Sequence, residues 1–169
     1  ALPPGQLGWG RAKDFLLQAR LIADAAAEHR NGTAEAYDID LDIGGRRVTG
    51  AVPAVFSDRL VDVTYSRLGA QHFLKAWIPL LALAVHHPVR PWSAVCVGRS
   101  RGRRPGTAER LLAAPFGDGG GEAKAILEDL LKIFDAGRRE PLPLPIKTSY
   151  AWAVARAESH RPRPPEPRQ

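Results

Sequence analysis

Tyr37-Asp38-Ile39-Asp40-Leu41-Asp42-Ile43-Gly44-Gly45-Arg46-Arg47-Val48-Thr49-Gly50 is the stretch whose reading decides the fold class. Tyr37, Ile39, Leu41 and Ile43 alternate with three aspartates. Period-two patterning of this kind sends apolar side chains to one face of a strand and carboxylates to the other. Gly44-Gly45 then offers the positive φ angles of a two-residue hairpin turn. A return strand is predicted over Arg46 to Phe56, a Ser57-Asp58 turn follows, and Leu60 to Tyr65 supplies a third strand with Val61 and Val63 on one face. Three strands in succession make an antiparallel meander.

Helical periodicity brackets the meander. Upstream, Ala12, Phe15, Leu16, Ala19, Ile22, Ala23 and Ala26 recur at three- and four-residue steps and predict an amphipathic helix from Gly10 to His29, stopped by Asn31-Gly32. Downstream, Ala70 to His86 carries Phe73, Leu74, Trp77, Ile78, Leu81 and Leu83 with little polar surface, so it reads as a largely buried helix, kinked or restarted at Pro79. Trp92 to Val97 is a continuous apolar run of the kind found inside a sheet. Thr107 to Ala113 is a short segment with apolar positions, and Gly117 to Gly121 is a flexible break. Glu122 to Ala136 forms another amphipathic helix through Ile126, Leu127, Leu130 and Phe134, with Gly137 as its cap. Pro141-Leu142-Pro143-Leu144-Pro145 must lie extended, because alternate residues lack an amide proton. A last helix is expected after Thr148 or Ser149, either of which could cap it. The fold class is therefore α/β, with one domain over residues 1–159 and a Pro/Arg tail over 160–169 that has no large apolar residue to bury and is expected to be disordered.

Composition narrows the function classes. The 169 residues are 44% hydrophobic, with a formal charge of +6 supplied mostly by arginine, which suits a surface that meets phosphate. No apolar run approaches the roughly 20 residues needed to span a bilayer, and no secretory signal opens the chain, so a soluble, cytoplasmic protein without membrane partners is expected. Methionine is absent and the chain opens on Ala1-Leu2-Pro3-Pro4-Gly5, which reads as a piece of something larger. The single Cys96, between Val95 and Val97, reads as a small buried hydrophobe.

Asp38, Asp40 and Asp42 on one strand face could serve a Mg²⁺-dependent nuclease, but alternating Asp is also the ordinary solvated face of a strand, and no lysine follows at a suitable spacing. His86-His87 point about 100° apart on a helix and suit interaction with its terminal carbonyls better than a shared metal. No Ser-His-Asp order, zinc spacing or phosphate loop with lysine is present, so no catalytic residue, metal site or cofactor is expected. Arg99, Arg101, Arg103 and Arg104 in a Gly-containing loop are candidate phosphate contacts, each able to release counterions, and equally a solvated loop without an interleaved aromatic. Arg46 and Arg47 at the hairpin form a second basic candidate.

Landmark order suggests a family. Leu2-Pro3-Pro4-Gly5-Gln6-Leu7-Gly8 precedes a helix, a strand carries Val48-Thr49-Gly50, the apolar helix carries Trp77, and Arg139-Glu140-Pro141-Leu142-Pro143-Leu144-Pro145 runs into Lys147-Thr148-Ser149-Tyr150-Ala151. Over about residues 2–152 the chain resembles the gamma subunit of exodeoxyribonuclease V, the RecC family. The resemblance implies a restriction-endonuclease-like domain: a mixed central sheet flanked by helices, here a three-stranded meander plus one or more further strands. Catalytic members of that fold place an Asp shortly after a Gly on the second strand and an acidic-x-Lys triplet on the third. Here Gly50 is followed by Ala51-Val52-Pro53-Ala54, and Asp62 is followed two residues on by Thr64. The implied role is that of an inactive, nuclease-like scaffold in an ATP-dependent helicase-nuclease of DNA repair and recombination. Such a domain splits the duplex, handles double- and single-stranded DNA, and meets the alpha and beta subunits. Family members continue beyond the Lys-Thr-Ser segment, so a fold incomplete at its C-terminus is expected. An active Mg-dependent nuclease using Asp38, Asp40, Asp42 or Asp62, and an autonomous DNA-binding module, are the alternative readings.

Overall fold

The computed structural model describes residues 5–102, 104–143 and 145–159. Its elements are α1 (Gln6–Ala27), β1 (Ala34–Ile43), β2 (Arg46–Phe56), β3 (Arg59–Arg67), α2 (Ala70–His86), β4 (Ser93–Arg99), β5 (Thr107–Ala113), α3 (Gly121–Arg139) and α4 (Ile146–Ser159). The expected Pro/Arg tail, 160–169, lies outside the described residues.

At the β1–β2 hairpin, Gly44 and Gly45 hold φ angles of 59° and 79°, the pair a two-residue primed turn demands. The Gly45 N–H donates to Asp42 Oδ1 at 2.9 Å. Ile39, Leu41 and Ile43 are buried while the three aspartates face solvent. Register runs from Ile43↔Arg46 to Ala34↔Phe56, with one irregularity between Glu35 and Tyr37.

The meander departs from expectation at its second joint. β2 meets β3 only at Val55↔Leu60 and Phe56↔Arg59, after which the strands diverge. β3 then runs parallel to β4, and β4 pairs antiparallel with β5, giving a five-stranded mixed sheet in the order β1-β2-β3-β4-β5. The crossover between the parallel strands is α2, as parallel pairing requires. The segment with scattered apolar positions at 107–113 is therefore an edge strand, and β4 is interior, with Ala94 to Val97 buried.

Helices cover both faces. On one side Ile22 and Ala26 of α1 pack on Val61, Val95 and Val97. On the other, Leu80, Leu81 and Leu83 of α2 and Ala123 and Leu127 of α3 pack on Ile39, Leu41, Ile43, Leu60 and Cys96. Burying about a dozen aliphatic side chains at roughly 1.5–3 kcal/mol each is the main term holding the layers together. α4 lies beside α2, where the Tyr150 and Phe73 rings are 5.6 Å apart.

Three helix details differ from the sequence reading. The buried stripe of α1 is rotated: Phe15 and Leu16 are 48% and 71% exposed, and Gln18 takes an inward position. α2 runs through Pro79 without ending, and its outer side is less buried than expected, with Ile78 45% exposed. Gly137 sits inside α3, which continues through Arg138 and Arg139, cations suited to its C-terminal carbonyls, until Glu140 caps it. Likewise α4 begins at Ile146, with Ser149 N–H donating to Pro145 O at 2.9 Å, so Thr148 and Ser149 lie within its first turn. Among the described residues no helix is long and apolar enough to cross a membrane.

Candidate nucleic-acid interface

The β4–β5 connection, residues 100–106, leaves the sheet beside the C-terminal end of β3 and the middle of α1. One buried side chain fixes it there. Gln18, 6% exposed, donates from Nε2 to Gly106 O at 3.0 Å and accepts the Gly106 N–H on Oε1 at 3.1 Å. Both hydrogen-bonding groups of one loop residue are thereby tied to α1. Ser100 N–H donating to Gly106 O at 2.9 Å closes the loop on itself.

The loop, β3 and α1 border a half-open cavity of about 180 Å³, lined among the described residues by Asp14, Phe15, Gln18, Tyr65, Arg67, Arg99, Ser100, Gly102, Arg104 and Pro105. Three guanidinium groups face one carboxylate. Arg67, Arg99 and Arg104 make no ion pair among the described residues. Arg99 lies with its guanidinium 4.9 Å from the Tyr65 ring centre, and its Nε is buried without a hydrogen-bond partner among the described residues. The Phe15 ring stands 6.1 Å from Tyr65. No aromatic residue interrupts the arginine run itself, but the fold brings two beside it from α1 and β3. Arg101 lines a neighbouring cleft with Arg67, Lys147 and Tyr150. Arg103 lies outside the described residues.

The hairpin arginines are differently engaged. Arg47 makes a two-pronged pair with Asp40 at 2.9 and 2.7 Å, and this hydrogen bonding holds the Asp40 carboxyl below its usual range. Arg46 donates to Asp135 at 2.6 Å and lies over the Phe134 ring. Their charge is met within the domain, whereas Arg99, Arg101 and Arg104 make no ion pair among the described residues.

Asp38, Asp40 and Asp42 form a solvated strand face, one member caught by Arg47 and another capping the turn. The His86 and His87 rings meet edge-on at 4.5 Å, and neither is hydrogen-bonded to a carbonyl of the last helical turn among the described residues. Burial, and then the neighbouring His86, hold His87 below the usual histidine pKa.

On β3, Asp62 points toward α2, where Lys75 Nζ donates to its Oδ1 at 3.2 Å while Oδ2 is buried without a partner. Thr64 Oγ1 accepts the Ser66 N–H. Val52, two residues after Gly50 on β2, is in the core. Burial, and secondarily Asp62, push the Cys96 thiol up to about 11. Among the described residues no three His, Cys, Asp or Glu side chains are grouped so as to hold a metal ion.

The structure thus defines an α/β domain, a mixed sheet between helical layers with an arginine-rich pocket at one end. Residues 1–157 match the RecC C-terminal domain, and the chain belongs to that family. It is 55% identical over 144 residues to the RecBCD enzyme subunit RecC of Mycolicibacterium smegmatis, covering 84% of this chain and 13% of that protein. It is 50% identical over 143 residues to the RecBCD enzyme subunit RecC of Mycobacterium tuberculosis strain H37Rv, covering 84% and 12%. The chain therefore spans about an eighth of the length of the curated relatives it matches.

Proposed function

We propose that this domain is a non-catalytic, DNA-handling and scaffolding part of a RecBCD-type helicase-nuclease, acting in double-strand break repair and recombination and using no cofactor of its own. The observation that carries the reading is the family match over residues 1–157, at 55% identity to a RecBCD subunit. We further read the fold as restriction-endonuclease-like with its reactive groups replaced. In favour of this, β2 and β3 diverge beside Val52 and Asp62, where Gly50 is followed by no carboxylate and Asp62 is neutralised by Lys75 from α2. An aspartate so paired has no second carboxylate beside it with which to position a metal and polarise water. The loop arginines Arg99, Arg101 and Arg104, which make no ion pair among the described residues, are the groups we assign to DNA, and the alpha and beta subunits of the complex are the partners we assign to the domain.

The test uses the complete subunit assembled with its alpha and beta partners. With Arg99, Arg101 and Arg104 each changed to Gln, assembly should persist on gel filtration while duplex unwinding becomes slower and more salt-sensitive. An assembled complex that unwinds at the unmodified rate across the salt range would contradict the assignment.

A further inference from the structure

Building on the assignment of the loop to DNA, we infer that the cavity between α1, β3 and the arginine loop is a subsite for one unpaired nucleotide, with the base against Tyr65 and the phosphate on the arginines. At about 180 Å³ the half-open cavity is smaller than the 300–1,000 Å³ of drug-sized sites, a scale that suits one ring rather than several.

Chemistry points the same way. Tyr65 and Phe15 remain 40% and 48% exposed in spite of their size, and both border the cavity. Arg99 lies over one face of the Tyr65 ring at 4.9 Å, so a cation and an aromatic ring stand together at the cavity. A stacked base needs a flat partner of this kind, and stacking is indifferent to base identity because every base has a π-face. Arg67 and Arg104 line the same cavity and make no ion pair among the described residues; with Arg99 they outnumber its one carboxylate, Asp14, three to one, and Ser100 adds a hydroxyl. Duplex DNA keeps its bases stacked inside, so only an unpaired strand can present ring and phosphate together. The Gln18–Gly106 pair keeps the loop wall in place, so little ordering is left for the ligand to impose.

The test measures binding of the full chain to fluorescein-labelled (dT)12 and to a 12-base-pair duplex by anisotropy over a salt series. The unmodified chain should bind (dT)12 more tightly than the duplex. Tyr65→Ala should weaken (dT)12 binding about tenfold, the effect of losing one base stack, with an unchanged salt slope. Tyr65→Phe should restore it. Arg104→Gln should instead lower the salt slope by about 0.7, one single-strand phosphate contact. Tyr65→Trp gives a readout that a merely structural role would not move, because its fluorescence should be quenched on adding (dT)12. Binding that follows salt but shows no strand preference, no Tyr65 dependence and no quenching overturns the subsite alone. Absence of binding to either DNA at low salt overturns the DNA assignment of the loop as well.

Discussion

Replacing Gln18 should cost stability out of proportion to its helical position. It is a polar side chain at 6% exposure that makes two bonds to Gly106, at 3.0 and 3.1 Å. Gln18→Ala removes both; the Gly106 carbonyl keeps the Ser100 N–H, but the Gly106 amide loses its partner. At about 1 kcal/mol net per hydrogen bond the loss is about 2 kcal/mol, and at roughly 2–4 °C per kcal/mol for a chain of this size the melting temperature should fall by roughly 4–8 °C. Differential scanning calorimetry reads this directly. Gln18→Glu separates bonding from packing. A carboxylate still accepts the Gly106 N–H but cannot donate to its carbonyl, and burial raises its folded pKa above the unfolded value of about 4.3. The protonated form, which can donate, predominates at low pH. The deficit of Gln18→Glu relative to the unmodified chain should therefore be small below the unfolded pKa and widen as pH rises through the folded one. A Gln18→Ala melting temperature within 1 °C of the unmodified value, or a Gln18→Glu deficit independent of pH, would refute the clamp.

Three other perturbations follow from the packing. A Cβ at Gly98 would stand 2.7 Å from Leu68 Cδ2 and 2.8 Å from the Ser66 carbonyl oxygen, so Gly98→Ala should lower stability by about 2 kcal/mol in urea denaturation, with an unchanged m-value. Cys96, fully buried with its thiol pushed up to about 11, should resist thiol reagents at pH 8 until urea unfolds the chain, and rapid native-state labelling would contradict its placement. Its folded pKa lies above the unfolded one, so its contribution to stability is complete below about pH 8.5 and declines as pH rises toward the folded value. Lys75→Ala strips the counter-charge from Asp62 and should destabilise by about 1 kcal/mol, whereas Asp62→Asn should be near neutral; equal losses in both would show that the pair itself, not the stranded carboxylate, carries the energy.

The hairpin was legible because its signals are local. Alternation in Tyr37 to Ile43 and the Gly44-Gly45 turn involve neighbours only, and the return strand has the predicted bounds Arg46–Phe56. The separation of β2 from β3 was not legible, since it depends on β3 exchanging β2 for β4, a strand some thirty residues later. α1 misled for a related reason. Periodicity placed Phe15 and Leu16 in the core, but the stripe that packs on the sheet is Ile22 and Ala26, in line with Gln18, whose partner Gly106 is 88 residues away. The arginine loop could be recognised from composition, yet its aromatic neighbours Phe15 and Tyr65 lie on other elements, so no local pattern announces them. Gly137 looked like a cap because glycine often is one, and the following arginines, favourable at a helix C-terminus, carried the helix past it.

The proposed non-catalytic role is tested most directly by incubating the purified chain with end-labelled single- and double-stranded DNA in Mg²⁺ or Mn²⁺, beside an Asp62→Ala variant. The expected result is retention of full-length DNA by both proteins; metal-dependent cutting by the unmodified chain that disappears in Asp62→Ala would contradict a non-catalytic domain.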